Sequence, residues 1–370
     1  MKGRVVELKV SAAGDVLFAE AVDSVNLAGA AKPAPPPLAP PLRPSPSPQA
    51  VGMRDFARQF VGGKSWHLKT LAEKLPDLIL TPRSVALPFG VFEAVLNLDA
   101  NRSVSSRYRD LIGQIHENPE PTLAEVRKCL LELQLPDSVK SELQRVLKAE
   151  GLPRPDDWPA FAQRIKQVWA SKWNDRAHYS RQARGWPPEA VFMAVLIQEV
   201  VEAEYAFVIH TVNPFNGNRD ELYCEVVLGL GETLVGNYPG RALSLICSKT
   251  DGRSTVLAYP SKSVGLYGRG LIFRSDSNAE DLAGYAGAGL YDSVLLHPPR
   301  EVTLDYTANP LVWDTDFREE FSSNIVRIGS TLEKALGAPQ DIEGAFAKGR
   351  FHVVQARPQV GLHNEENRND

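Results

Sequence analysis

The stretch Asp341-Ile-Glu-Gly-Ala-Phe-Ala-Lys-Gly-Arg-Phe-His-Val-Val-Gln-Ala-Arg357 predicts the fold of the region around it. Two strand-like runs flank Lys348-Gly349, and a glycine-containing turn between such runs is typical of a β-hairpin. The hairpin would bring Glu343 close to Gln355, whereas a slip of one residue in register would move one of the two to the other face. Gln355 and Arg357 are two residues apart and therefore share a face.

This hairpin carries residue types that suit a bound nucleotide. Magnesium takes hard oxygen ligands, so the carboxylate of Glu343 and the amide oxygen of Gln355 are candidate metal ligands. The guanidinium of Arg357, on the same face as Gln355, is a candidate phosphate ligand. An ordinary ladder of exposed Glu and Arg side chains on an edge hairpin is the alternative interpretation.

A second unusual stretch, residues 272–294, reads Ile-Phe-Arg-Ser-Asp-Ser-Asn-Ala-Glu-Asp-Leu-Ala-Gly-Tyr-Ala-Gly-Ala-Gly-Leu-Tyr-Asp-Ser-Val. Its single arginine, Arg274, can bind a phosphate through two nitrogens, and the glycines allow the backbone to approach a ligand closely. A polar surface loop in which Arg274 pairs with Asp276 or Glu280 is the alternative.

The third segment is Gly62-Gly63-Lys64-Ser65, which opens a helix predicted to run from Ser65 to Leu75. A glycine turn at a helix N-terminus presents free backbone N–H groups to a phosphate, and the Lys64 side chain adds positive charge. A P-loop would require glycine at position 58, where the chain has Arg58. A glycine turn beside a solvated lysine is the alternative.

Two weaker segments complete the predicted site. The strand-like run Val195-Leu-Ile-Gln-Glu-Val-Val201 carries Gln198 and Glu199 and can offer its backbone edge to an adenine. Gly229-Leu-Gly-Glu-Thr-Leu-Val-Gly236 is a glycine-rich turn in which Glu232 can line a phosphate or ribose. A core strand and a plain helix N-terminus are the alternatives, and His210 is interpreted as a partly buried strand histidine rather than a catalytic one.

The rest of the chain predicts an α+β architecture. A weakly alternating segment at residues 4–22 indicates a β-hairpin, and a Pro-rich segment at about 27–51 indicates an extended linker. Thr122-Leu-Ala-Glu125 is a capping box that predicts a helix start, and a second helix is predicted from Trp158 to about Ala183. Beyond Pro188 the pattern predicts strands at Val191 to Val201, Tyr205 to Val212, Leu222 to Leu228 and Phe351 to Ala356.

Composition excludes several classes of function. With 370 residues and 43% hydrophobic residues the chain can bury the core of an enzyme-sized protein. Its formal charge of -4 provides no cationic field for nucleic acid or a membrane surface, so neither is expected as a partner. The three cysteines lack the spacing of a zinc site, and the first residues lack the features of a signal or transit peptide.

Together these segments resemble the ATP-binding domain shared by pyruvate, phosphate dikinase, phosphoenolpyruvate synthase and the starch-phosphorylating dikinases. The resemblance covers nearly all of residues 53 to 360. It rests on the following segments: Gly62-Gly-Lys-Ser65, Val168-Trp-Ala-Ser-Lys-Trp173, Gln198-Glu-Val200, Gly229-Leu-Gly-Glu232, Asp341-Ile-Glu343 and Val354-Gln-Ala-Arg-Pro-Gln359. Arg274-Ser-Asp-Ser-Asn278 follows the Trp-Ala-Ser and Gln-Glu segments, an order that resembles the α-glucan, water dikinases in particular.

The resemblance implies an ATP-grasp-like fold with two lobes, and ATP and Mg²⁺ as ligands. ATP would contact Lys64, Gln198, Glu199, Glu232, Arg274 and Arg357, and the metal would contact Glu343 and Gln355. In the family, the β-phosphate of ATP passes to a histidine on a swivelling domain and then to the glucan, the γ-phosphate passes to water, and AMP leaves. The phosphoacceptor segment, a Ser-His-Val-Ser-Val-Arg-type run, is absent from these residues.

The resemblance also implies a domain organisation and partners. Residues 1–24 match the last strands of the histidine domain, 25–52 form the Pro-rich linker, 53–362 the ATP-binding domain and 363–370 a polar tail. The expected partners are the phosphohistidine domain and, through regions outside this sequence, an α-glucan such as starch. Plastid residence is expected by resemblance alone. Phosphoglucan, water dikinase, another dikinase ATP domain and a catalytically silent ATP-binding regulatory module are the alternatives.

Overall fold

The computed structural model describes residues 6–10, 16–20, 49–74, 79–236, 238–280, 282, 287 and 289–360. The chain divides into two compact units, residues 1–35 and 36–370. In the first unit, β1 (Val6–Val10) and β2 (Val16–Glu20) form an antiparallel hairpin, which confirms the hairpin predicted there. The polar tail and all but the last few residues of the Pro-rich segment lie outside the described residues, and the domain boundaries stay predictions.

The second unit combines helices with antiparallel sheets, and this mixture confirms the α+β class. Its helices are α1 (Gly63–Lys74), α2 (Val91–Leu96), α3 (Arg102–Gln114), α4 (Pro119–Leu131), α5 (Asp137–Ala149), α6 (Trp158–Ser171), α7 (Asp175–Gln182), α8 (Glu232–Val235), α9 (Pro310–Trp313) and α10 (Thr315–Leu336). Its strands are β3 (Val51–Gly52), β4 (Ser84–Leu87), β5 (Met193–Glu199), β6 (Tyr205–His210), β7 (Glu221–Leu228), β8 (Leu243–Ser248), β9 (Ser254–Ala258), β10 (Val264–Tyr267), β11 (Leu271–Ser277), β12 (Ser293–Leu295), β13 (Arg300–Thr303), β14 (Gln340–Ala347) and β15 (Arg350–Pro358). In the part of the chain that the structure describes, no helix combines the length and apolar character needed to cross a bilayer.

A six-stranded antiparallel sheet has the strand order β15-β14-β6-β7-β8-β9. The long helix α10 covers one face of it, and Phe321 and Ile325 of this helix pack in one apolar cluster with Phe207 and Leu222 of the sheet. Alternate residues of each strand point to the same face, so the opposite face of the same strands remains for other contacts.

A five-stranded sheet has the strand order β12-β11-β5-β4-β3. Because β3 begins at Val51, this sheet starts two residues before the predicted domain boundary at 53. The helices α2 to α6 pack against the sheet, where Trp169 of α6 and Phe273 of β11 are fully buried in the same cluster. The short β10 and β13 form a separate pair.

The helix α1 links the cores of the two sheets. Leu71 belongs to the apolar cluster of the six-stranded sheet, whereas Leu68, nearly one turn earlier, packs with Val51 and Leu196 of the five-stranded sheet. Residues three apart on a helix project in neighbouring directions, so one short helix reaches both cores.

The predicted strands beyond Pro188 are confirmed, but two helix predictions need correction. The capping box at Thr122 is not the start of α4, because Asn118 is its N-cap and Pro119, with its fixed φ, occupies the first helical position. The helix predicted from Trp158 to Ala183 is two helices. Asn174 has an extended backbone conformation that starts α7 anew after α6 ends at Ser171.

The β14–β15 hairpin is present as predicted, with one irregularity. Lys348 and Gly349 both have positive φ values, 51° and 71°, as a tight two-residue turn requires. Beyond the pair Gly344 and Val353 the register shifts, and Glu343 pairs with Gln355 rather than with Val354. This bulge brings Glu343 and Gln355 directly opposite each other, which confirms their predicted proximity.

Candidate functional site

A cleft of about 550 Å³ lies between the five-stranded and six-stranded sheets. This volume falls within the range of small-molecule sites. Its lining includes all eight residues that the sequence predicted as ligands of ATP or magnesium: Lys64, Gln198, Glu199, Glu232, Arg274, Glu343, Gln355 and Arg357. They come from α1, β5, α8, β11 and the β14–β15 hairpin, so segments almost 300 residues apart in sequence converge on one cleft.

Arg274 stands at the centre of this cleft and joins the two sheets. One terminal nitrogen, Nη2, donates to Glu343 Oε2 at 3.1 Å and to Gln355 Oε1 at 2.5 Å. The other, Nη1, donates to Gln198 Oε1 at 3.3 Å. The carboxylate of Glu343 and the amide oxygen of Gln355 therefore point at a single cationic group.

The alternative pairing considered for Arg274, with Asp276 or Glu280, is wrong. Both carboxylates bind groups at the start of α1 instead. The Lys64 ammonium forms an ion pair with Glu280 and donates to Ser275 Oγ at 3.3 Å. Only 10% of the Lys64 side chain is exposed, so the solvated lysine that the sequence also allowed is not observed.

The glycine turn before α1 binds a protein carboxylate rather than presenting free N–H groups. Asp276 Oδ2 accepts from the backbone N–H of Gly62 at 2.9 Å, and Oδ1 accepts from that of Lys64 at 3.0 Å. Burial raises the pKa of the Asp276 carboxyl group, while the N–H groups of the turn act in the opposite direction. A Cβ at Gly62 would lie 2.5 Å from Asp276 Oδ1, so glycine is needed for this close approach. Asp276 therefore accepts from N–H groups that the sequence had suggested were free for a phosphate.

Arg357 lies on the cleft side of β15 and is also paired. Its Nε donates to Asp341 Oδ2 at 2.9 Å, and the side chain is about one-fifth exposed. Asp341 sits two residues before Glu343 and shares its face of β14. His210 Nδ1 lies 3.8 Å from Asp341 Oδ1 and its ring stacks on Tyr223, in agreement with a partly buried strand histidine.

The other end of the cleft is more apolar and is formed by the segments after β5 and β7. The lining there includes Val200, Val201, Ala203 and Leu230, with Glu232 at the first position of α8. Such a surface suits a flat, uncharged ring.

Glu199 and Gln198 each have a protein partner at this end. Two nitrogens of Arg83 contact the Glu199 carboxylate at 2.8 and 2.5 Å, and this hydrogen bonding lowers the pKa of Glu199. Gln198 Nε2 donates to Val354 O at 3.3 Å, so the bulge residue of β15 is itself tied to β5.

Comparison with known proteins agrees with this arrangement. Residues 156–240 match the family described as pyruvate phosphate dikinase, AMP/ATP-binding domain. The α-glucan water dikinase of Solanum tuberosum is 48% identical over 318 residues, which cover 84% of this chain and 22% of that protein. α-Glucan water dikinase 1 of Arabidopsis thaliana is also 48% identical, over 84% of this chain and 23% of its own length. Over most of its length the chain is therefore similar to part of the α-glucan, water dikinases. It spans between a fifth and a quarter of the length of these relatives.

More distant relatives retain the similarity at lower identity. The rifampicin phosphotransferase of Bacillus subtilis is 24% identical over 82% of this chain and 34% of its own length. The relatives thus include α-glucan dikinases and a phosphotransferase that is named for a different acceptor.

Sequence reasoning found the cations of the cleft but not their carboxylate partners. Asp341, Glu280 and Asp276 neutralise or cap groups that had been considered for phosphate binding alone. A signal existed for Asp341, because its spacing of two from Glu343 places both on one face of the strand. No comparable signal links Glu280 to Lys64, which lies 216 residues away.

Proposed function

We propose that this chain is the ATP-binding module of an α-glucan, water dikinase, with ATP held in the cleft between the two sheets in an ATP-grasp-like arrangement. The overall reaction would convert ATP, α-glucan and water into phospho-α-glucan, AMP and phosphate. The observation that carries the proposal is the convergence of the Glu343 and Gln355 oxygens with three cations on one cleft.

Glu343 and Gln355 fit a magnesium site. Both offer hard oxygen atoms from directly opposed positions on neighbouring strands, and both already accept hydrogen bonds from one cationic group. The metal keeps few protein ligands in nucleotide sites, so two oxygens beside the phosphates suffice. When bound, magnesium would neutralise charge on the phosphate oxygens.

Lys64, Arg274 and Arg357 would bind the phosphates. Each now contacts a carboxylate, of Glu280, Glu343 or Asp341 respectively. Because these partners hold the cations inside the cleft, the side chains are oriented before the nucleotide arrives and lose less freedom on binding. A bound triphosphate would then share or replace the carboxylate contacts, and the apolar end beside Val200 and Leu230 would receive the adenine.

The second half of the reaction would use groups outside the cleft. In the family, the phosphate passes through a histidine on a swivelling domain before it reaches the glucan, and this domain and the glucan are the proposed partners. Because relatives such as that of Solanum tuberosum are named as chloroplastic, we infer that the protein acts in a plastid.

Calorimetric titration with ATP and magnesium tests the proposal. The double substitution Lys64→Met/Glu280→Gln removes a cation of the cleft without leaving a lone buried charge. Loss of a charge-assisted phosphate contact should weaken ATP binding by about tenfold or more.

The matched control is Lys249→Met/Glu333→Gln, which removes another partly buried ion pair. This pair joins the residue after β8 to α10, and neither residue lines the cleft. Its ATP affinity should equal that of the unaltered chain. Equal affinities in both double variants would contradict a phosphate role for Lys64, and absence of ATP binding by the unaltered chain would contradict the proposed function.

A further inference from the structure

A second cavity, of about 370 Å³, lies among the helices beside the five-stranded sheet. Its walls come from α2, α3, the turn after α6 and the segment that leads into β5. Four aromatic side chains line it: Phe92, Tyr108, Trp173 and Phe192. In the described part of the chain it shares no lining residue with the nucleotide cleft, so it is a separate site.

Lys172 contributes a buried cation to this cavity. The residue is 4% exposed, and its ammonium lies 5.7 Å from the centroid of the Trp173 ring. Among the residues that the structure describes, its ammonium makes no hydrogen bond and has no carboxylate within 4.0 Å. The three donors of this ammonium are therefore open to an acceptor that enters the cavity.

Glu93 contributes the complementary group from α2. It also lines the cavity, and its Oε2 atom is buried with no hydrogen-bond donor in the described structure. The donor-only ammonium and the acceptor-only carboxylate thus face the same cavity without meeting each other. A ligand that satisfies both must accept a hydrogen bond at one point and donate one at another.

The charged side chains that line the cavity balance, because Lys172 and Arg109 oppose Glu93 and Glu189. Burial lowers the pKa of Lys172 to about 8, Glu93 and Glu189 raise it, and the nearby Arg181 lowers it. The two carboxylates oppose an anionic ligand, and Lys172 with Arg109 opposes a cationic one. A neutral ligand that carries both donors and acceptors and has a face able to pack on aromatic rings fits this combination.

We propose that this cavity binds one glucosyl unit of an α-glucan, with a sugar hydroxyl accepting from Lys172 and another donating to Glu93. Hydroxyl groups both donate and accept, and a pyranose ring has an apolar face that can pack against the partly exposed Tyr108. The choice of a glucosyl unit among neutral ligands rests on the proposed function. The site would bind the polysaccharide outside the nucleotide cleft and so raise its local concentration on the protein.

Calorimetric titration of the full chain with maltose and maltotetraose tests the proposal, with alanine and adenosine as competing ligand classes. The substitutions are Lys172→Met and Glu93→Gln, each of which removes one hydrogen-bonding partner. The control is Lys166→Met on α6. The Nζ of Lys166 donates to Leu131 O, and Lys166 does not line the cavity. The unaltered chain and the control should bind the saccharides with equal affinity. The Lys172→Met and Glu93→Gln variants should each bind them about tenfold more weakly, or weaker still.

A second readout separates binding from a packing role. Because Lys172→Met removes a buried charge without a partner, its midpoint of thermal unfolding should rise while its saccharide binding falls. The affinity for ATP should stay unchanged in all variants. A failure of saccharide binding is therefore distinguishable from a failure of the proposed ATP-binding function. Any of three results would overturn the proposal. The first is that the unaltered chain binds no saccharide, and the second is that both Lys172→Met and Glu93→Gln leave the saccharide affinity unchanged. The third result is binding of alanine or adenosine that both substitutions abolish.

Discussion

Arg274 joins three acceptors from both sheets through one guanidinium, and this contact orders the metal-binding half of the cleft. Gln198 belongs to β5, whereas Glu343 and Gln355 belong to the β14–β15 hairpin. A planar group with several donors in fixed directions can hold acceptors from different elements at once, which a lysine cannot do in the same way. The same oxygens are the proposed magnesium ligands, so Arg274 helps to hold these ligands close together.

At the scale of single residues, we predict that Arg357 contributes to ATP affinity more than to folding. Replacing it alone would leave Asp341, with only 13% of its side chain exposed, without its cation, so the informative variant is Arg357→Met/Asp341→Asn. ATP binding should weaken by about 1.5 to 3 kcal/mol, the usual value of a charge-assisted contact. Fluorescence titration with a labelled ATP analogue measures it, and urea unfolding of the same variant should show little change.

The exposed pair Arg253 and Asp251 provides the control. The substitution Arg253→Met/Asp251→Asn removes the same two residue types, a guanidinium and a carboxylate, from a surface turn. If the Arg357 variant bound ATP with the same affinity as this control, Arg357 would not bind a phosphate. It would then be one of the exposed charged side chains of an edge hairpin.

Glu343→Gln should weaken nucleotide binding more with magnesium than without it. The substitution keeps the shape of the side chain and an oxygen acceptor but removes the anionic ligand that a hard cation prefers. The measurement is the affinity for ATP in magnesium and in a chelator. Glu333→Gln on α10, which faces Lys249, should leave both affinities unchanged. Equal losses under the two conditions would remove Glu343 from the metal site.

At the scale of elements, the bulge in β15 decides which side chains of the hairpin face the cleft. The turn at Lys348 and Gly349 alone would set Val354 opposite Glu343 and send Gln355 to the other face. The extra residue restores Gln355 and Arg357 to the face of Glu343. Contacts around Gly344 and Val354, rather than the alternation of the strand sequence, maintain this arrangement.

Gly344→Ala should therefore destabilise the fold. The added Cβ would lie 2.2 Å from the Phe207 ring and 2.7 Å from His352 O, and the backbone oxygen cannot move aside cheaply. Overpacking of this kind costs about 1 to 3 kcal/mol in the free energy of unfolding. Urea denaturation measures it.

Gly113→Ala is the matched control, because Gly113 lies in α3 and a Cβ there meets no atom within 4 Å. In a helix the same substitution should stabilise the protein by about 0.5 to 1 kcal/mol. Equal effects at the two positions would show that the close approach of Phe207 does not constrain the hairpin.

At the scale of the whole molecule, the cleft depends on two sheets whose cores are joined by α1 and by Arg274. We predict that the 370 residues bind ATP but transfer no phosphate to glucan until a histidine domain of the family is added. A nucleophilic imidazole must reach the β-phosphate within hydrogen-bond distance, and no histidine lines the cleft in the described structure. The assay follows AMP release and label from β-labelled ATP on glucan.

Transfer by the added domain should be slow and should depend on its concentration, because the domain is not tethered. A histidine domain whose phosphoacceptor is changed to alanine is the control and should restore nothing. Label on glucan without any added domain would contradict the prediction. His67, three residues beyond Lys64, would then be the first residue to replace.

The sequence by itself determined the secondary structure of the hairpins, the α+β class, and the identity of the eight residues that meet in the cleft. The secondary structure follows from alternation and turn residues, which depend on neighbours within a few positions. The eight residues follow from local motifs together with the resemblance to the dikinase ATP-binding domain. Only the tertiary structure decided that Asp276 caps α1, that Lys64 pairs with Glu280, and that a bulge aligns Gln355 with Glu343. Such contacts join residues far apart in sequence, and they are set by how the two sheets pack rather than by any local pattern.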